Sequence, residues 1–80
     1  MKTEFEHITE TVAGITTHTF YGTTREKDWD ALNAFSAAHP MKYRPIAAGN
    51  DVDGAFEECE LSTTNSDTAM LFKLTFGGAA

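Results

Sequence analysis

Three histidines, one cysteine and a run of carboxylates are the chemically active side chains of this 80-residue sequence. The nearest approach to a motif is in the acidic stretch. Asp51-x-Asp53-Gly54, with Glu60 six residues after the glycine, reproduces positions 3, 5, 6 and 12 of an EF-hand calcium loop. Position 1 is Gly49 where an acid is required, Pro45 lies just upstream, and a β pattern follows instead of a second helix. A polar turn leading into a strand accounts for these residues. His7 and His18 fall on neighbouring strands of an inferred hairpin, close enough to share a metal if a third ligand joined them; His39 is the remaining candidate. No Cys–His pair or HxxxH spacing accompanies them, so neither a metal site nor a cofactor is expected.

Nucleophilic and acid–base chemistry fare no better. Cys59 alternates with Leu61 on an apolar strand face, with no cationic neighbour in sequence to lower its thiol pKa. Glu57, Glu58 and Glu60 could supply a carboxylate pair only if one of them were desolvated in a cleft. On a strand, Glu58 and Glu60 point together to solvent. Glycine-rich phosphate loops and GxSxG are absent from the sequence. The reading is therefore of a non-enzyme with no catalytic residues.

What stands out is charge. Twelve acids oppose six bases, a net charge of −6, and Asp51, Asp53, Glu57, Glu58 and Glu60 lie within ten residues holding no Lys or Arg. Such a field repels nucleic acid and anionic membranes and attracts basic protein surfaces. Met41-Lys42-Tyr43-Arg44-Pro45 is the one basic–aromatic stretch, and two cations cannot make the phosphate contacts that nucleic-acid binding needs. A single cysteine, an N-terminus without a signal-peptide stretch and no run of ~18 apolar residues point to a cytoplasmic protein. A chain this short leaves little material for the walls of a deep pocket.

The elements that must position these residues follow from pattern. Residues 1–76 are expected to form one domain, and Gly77-Gly78-Ala79-Ala80 a frayed tail. Thr3–Val12 and Ile15–Tyr21 read as a hairpin turning at Ala13-Gly14, which pairs Val12 with Ile15, Thr9 with His18 and His7 with Phe20. Thr23-Thr24-Arg25-Glu26 reads as a capping box opening a helix over about residues 24–38, with Trp29, Leu32, Phe35 and Ala38 at helical spacing and Pro40 ending it. Met41–Ala48 reads as an edge strand because Pro45 lacks a donor, followed by a polar turn over Gly49–Gly54. Ala55–Thr63 and Thr68–Phe76 read as two further strands around Asn65-Ser66, pairing Leu61 with Met70, Cys59 with Phe72, Ala55 with Phe76 and Glu58 with Lys73. Glu57 fits that register badly, falling opposite Leu74 on the dry face. The expected fold is α+β, a two-layer sandwich in which one helix covers one face of an antiparallel sheet in ββαβββ order, with Trp29, Leu32 and Phe35 against Met70, Phe72, Leu74 and Phe76.

With catalysis, metal and nucleic acid set aside, surface recognition is left. The expected partner-binding residues are Glu4, Glu6 and Glu10 on one outer strand face, Glu58 and Glu60 on another, and Asp51 and Asp53 at a loop tip. Carboxylates at alternate strand positions repeat every ~6.5–7 Å, on the scale of phosphates along a nucleic-acid strand, so such a surface can occupy a basic nucleic-acid-binding groove. In bulk character, though through no motif, the chain resembles phage-encoded inhibitors of the anti-CRISPR or anti-restriction type. That implies an acidic inhibitor acting by nucleic-acid mimicry on a basic protein, without direct nucleic-acid or membrane contact. Two other classes stand beside it. One is a small ligand-binding domain or enzyme whose pocket, at a dimer interface, holds His7, His18 or Tyr21. The other is a small phage structural or assembly protein that pairs through the Met41–Ala48 edge.

Overall fold

The computed structural model describes residues 5–76. Strands β1 (Phe5–Val12) and β2 (Ile15–Arg25) are followed by helix α1 (Glu26–Ala38), strands β3 (Lys42–Asp51) and β4 (Gly54–Thr63), and helix α2 (Ser66–Phe76). The fold is α+β, with a four-stranded antiparallel sheet ordered β1-β2-β4-β3. Glu4 and the Gly77–Ala80 segment lie outside the described residues.

The first hairpin has the expected register, pairing Val12 with Ile15, Thr9 with His18 and His7 with Phe20. Ala13 at φ 53° and Gly14 at φ 80° both occupy the left-handed region, as a two-residue type I′ turn demands. Glycine adopts this conformation freely; alanine does so against its Cβ. Strand β3 lies at a sheet edge, where Pro45 is tolerated. A bulge between Pro45 and Ala47 leaves Ile46 out of the ladder. β3 continues through Gly49 and Asn50 to Asp51, which pairs with Gly54, so the turn contracts to Val52-Asp53.

Helix α1 starts at Glu26, and the Thr23–Glu26 capping box does not form. Arg25 is the N-cap, and its backbone N–H donates to Asp28 Oδ2 at 3.2 Å. Thr24 remains in β2, buried, with its hydroxyl donating to the Glu57 carbonyl at 3.2 Å and accepting the Trp29 indole N–H at 3.0 Å. This relay ties the first turn of α1 to strand β4. At the other end, His39 N–H donates to Phe35 O at 2.7 Å before Pro40 stops the helix.

The largest correction concerns the C-terminal segment. Thr68–Phe76 is not a strand; Ser66–Phe76 is a helix, so the order is ββαββα, with four strands and two helices. Asn65 initiates it: its side-chain oxygen accepts from Thr68 N–H and its carbonyl from Ala69 N–H, both at 3.0 Å. Asp67 in the first turn and Lys73 in the last complement the helix dipole. Helical spacing then divides the run that reads as alternating. Thr68, Ala69 and Phe72 are buried, whereas Met70 is 65% and Leu74 78% exposed. The expected pairing of Leu61, Cys59, Ala55 and Glu58 with Met70, Phe72, Phe76 and Lys73 is replaced by ladders from β4 to β2 and β3.

One buried cluster joins the elements. It takes Phe5, Phe20, Cys59 and Leu61 from the sheet, Leu32 from α1, and Ala69 and Phe72 from α2. The Phe72 ring stands 5.0 Å from Phe5, 4.6 Å from Phe20 and 5.5 Å from Phe35. Trp29, Phe35, Met41 and Phe76 pack around its margin. Phe35 therefore does meet Phe72 and Phe76, but across a helix–helix contact and not against a strand.

Candidate partner-binding face and an apolar groove

Side chains alternate across a sheet, so the register sorts the acids. Glu6, Tyr21, Glu60 and Arg44 form one cross-strand row; Thr23, Glu58 and Ala47 form the next; Glu10 pairs with Thr17. All these residues lie on the face opposite Phe20, Cys59 and Leu61, away from the buried cluster. Carboxylates that the sequence divides between two patches thus come to one face. Glu6 and Glu60 flank Tyr21 at two strand spacings, about 10 Å. Tyr21 is on the opposite side of the sheet from His7 and His18, so these three do not line a common pocket.

Two of the six expected recognition acids among the described residues have internal partners. Glu60 forms an ion pair with Arg44 at 3.0 Å. Asp51 takes both guanidinium nitrogens of Arg25, at 2.6 and 2.7 Å, and accepts the Asp53 N–H at 2.9 Å. Chiefly through the hydrogen bond from Arg25, its carboxyl is held down at about 2. The Arg25 guanidinium also lies 5.5 Å from the centre of the Phe56 ring. Gly49 makes room below: a Cβ there would come within 3.1 Å of that ring. Asp51 therefore belongs to the closure of the sheet end, while Asp53 stays exposed at the hairpin tip. With Asp51 turned to Arg25 and Glu60 to Arg44, the calcium-loop-like spacing does not converge on a point. Among the described residues, no group of three or more His, Cys, Asp or Glu side chains is placed to hold a metal.

On the helix-bearing face, His7 Nε2 and His18 Nδ1 are 3.0 Å apart, and the His7 ring stacks 4.5 Å from Phe20. Burial first, then the positive charge of Lys73 and the neighbouring His18, lower the His7 pKa from its ordinary value. His18 Nε2 is buried without a hydrogen-bond partner among the described residues. His39 is remote in role, its ring 4.9 Å from Phe35 at the end of α1.

The feature that sequence reasoning misses is a groove of about 430 Å³ between α1 and the β3–β4 half of the sheet. Trp29, Leu32, Met41, Cys59 and Leu61 give it apolar walls, and Glu57 with Tyr43 gives it a polar corner. Tyr43 pairs with Leu61, and its hydroxyl donates to Glu57 Oε1, so its side chain reaches along the sheet past the row of Cys59. Burial first, then Glu57, raises the Tyr43 pKa. Cys59 is 1% exposed, and burial pushes its thiol up to about 11. A thiol so protonated is no nucleophile at neutral pH. The available signal was the misfit of Glu57, an acid on a strand face otherwise carrying Cys59 and Leu61.

Comparison with protein-family models, curated proteins and solved structures finds no match to this chain. Among the described residues, no helix is long and apolar enough to cross a membrane.

Proposed function

We propose that this protein is a small acidic interaction module that occupies a basic, nucleic-acid-binding surface of a partner protein, in the manner of anti-CRISPR or anti-restriction inhibitors. The supporting observation is the convergence of Glu6, Glu10, Glu58 and Glu60 on one sheet face, while the buried parts of both helices serve the other. Threonines and Tyr21 stand between these carboxylates, offering hydroxyls beside the charges. Such a surface presents spaced negative charge on a rigid support, which steers association with a cationic groove and sets its orientation. Asp53, exposed at the β3–β4 hairpin tip, is a further acid of the proposed surface. Asp51 serves mainly to fix the hairpin, and Glu60 shares its charge with Arg44.

The test is competition. Partners captured from host lysate at low salt should be released by added duplex DNA and by raised salt, since charge attraction is screened over ~8 Å at physiological ionic strength. Glu6→Lys with Glu58→Lys should abolish capture without altering the melting transition, because both residues face away from the core. Capture that survives both DNA and charge reversal would refute the reading.

A further inference from the structure

We propose that the groove between α1 and the β3–β4 hairpin binds a small amphipathic organic cation, an apolar body carrying one protonated amine. The site lies on the opposite side of the sheet from the acidic face and does not depend on the role assigned to that face.

Three properties select the ligand. The volume of about 430 Å³ is ample for a small molecule. Trp29, Leu32, Met41 and Leu61 offer hydrocarbon and aromatic surface, which favours an apolar body displacing water. Glu57 is the only carboxylate or cation among the lining residues, and it stands beside that apolar surface with a neutral partner, Tyr43. The ion pairs among the described residues are Arg25–Asp51 and Arg44–Glu60, so Glu57 has no internal counter-charge there.

A neutral ligand filling the groove would strip water from Glu57 and offer at most a hydrogen bond, without the opposite charge. An anion would be repelled. An ammonium supplies the missing charge and a charge-assisted hydrogen bond to the carboxylate. Trp29 and Tyr43 also line the groove, and aromatic rings attract the same charge through their π-systems. Tyr43 meanwhile holds the carboxylate by Oε1, which orients the acid before a ligand arrives.

Trp29 is the chain's one tryptophan and lines the groove, so its emission reports occupancy. The purified protein would be titrated with 2-phenylethylamine and hexylamine, against 2-phenylethanol and 3-phenylpropionate as neutral and anionic counterparts. Saturable change with the amines is expected, with affinity at least about tenfold above that for the alcohol, and no saturation with the acid. Glu57→Gln should erase the preference for amine over alcohol while the circular dichroism spectrum is unchanged. Asn33→Phe, at an exposed position on the helical rim, should block all binding by filling the mouth. Equal binding of amine and alcohol, or no saturation by amines at millimolar concentration, overturns the proposal even if the Glu57 variant fails to fold. Retention of the amine preference in folded Glu57→Gln overturns it as well. Charge reversal at Glu6 and Glu58 should leave amine binding intact, which separates failure here from failure of the acidic-face reading.

Discussion

His7 and His18 are diagonal neighbours across the β1–β2 ladder with Nε2 and Nδ1 3.0 Å apart, so one nitrogen donates and the other accepts. If both rings were protonated, neither facing nitrogen could accept and two positive charges would meet. Lys73 adds a third positive charge nearby.

This pair predicts an acid-sensitive fold. Above the ordinary histidine value of 6.5, His7 is neutral in folded and unfolded chains alike. As pH falls below that value the unfolded chain takes up a proton that the folded chain resists. Stability is therefore full above 6.5, declines down to the lowered folded pKa, and then levels as far as this residue is concerned. Urea midpoints measured between pH 8 and pH 5 should show the decline. His7→Gln, which keeps a donor for His18 but cannot gain charge, should reduce it; an unchanged pH profile would show that the pair is not responsible.

The turn between these strands carries a correctable strain. Ala13 sits at φ 53°, where an L-residue with a Cβ is disfavoured by roughly 1–2 kcal/mol. Ala13→Asn should raise stability by about 0.5–1 kcal/mol, since Asn-Gly suits a type I′ turn. Ala13→Val should lower it. Chemical denaturation of the two variants gives the sign directly.

Truncations in the last element distinguish a helix from a strand. Phe72→Ala should cost ~3–5 kcal/mol, a large part of the stability available to a domain of this size. Met70→Ala and Leu74→Ala should each change stability by less than about 0.5 kcal/mol, because both side chains are exposed. Equal losses at positions 70, 72 and 74 would instead indicate a strand with one buried face.

Asn65 is predicted to control whether that helix forms. Asn65→Ala removes the acceptor for Thr68 N–H and should cost about 1 kcal/mol, with Asp or Ser at the same position recovering most of it. Helical content by circular dichroism should fall and recover in parallel.

The sequence makes elements legible where a single local rule governs. Ala13-Gly14 sets the register of the first hairpin, Pro45 assigns β3 to an edge, and the spacing of Trp29, Leu32 and Phe35 marks α1. It misleads at Met70, Phe72, Leu74 and Phe76, because a short apolar run satisfies both periods. There the deciding information is local propensity: Ala69, Met70, Leu71 and Lys73 favour helix, and Asn65 is a cap that also reads as a turn residue. Grouping the acids on one face required the β2–β4 ladder, which joins strands separated by a whole helix and another strand. The groove was illegible for a similar reason. Its lining comes from β2, α1, Met41, β3 and β4, and no local pattern records that Tyr43 reaches Glu57.

Pro45 and the bulge that drops Ile46 from the β3 ladder have a consequence for assembly. An intact free edge is a template on which another chain can hydrogen-bond, and repeated addition at both edges makes a fibre. Here one of the two edges lacks a donor at Pro45 and has a broken repeat beside it. The opposite edge, β1, is regular and presents Ile8 and Val12 at 53% and 64% exposure. Of the two edges, β3 is therefore the poorer template for strand addition by another chain.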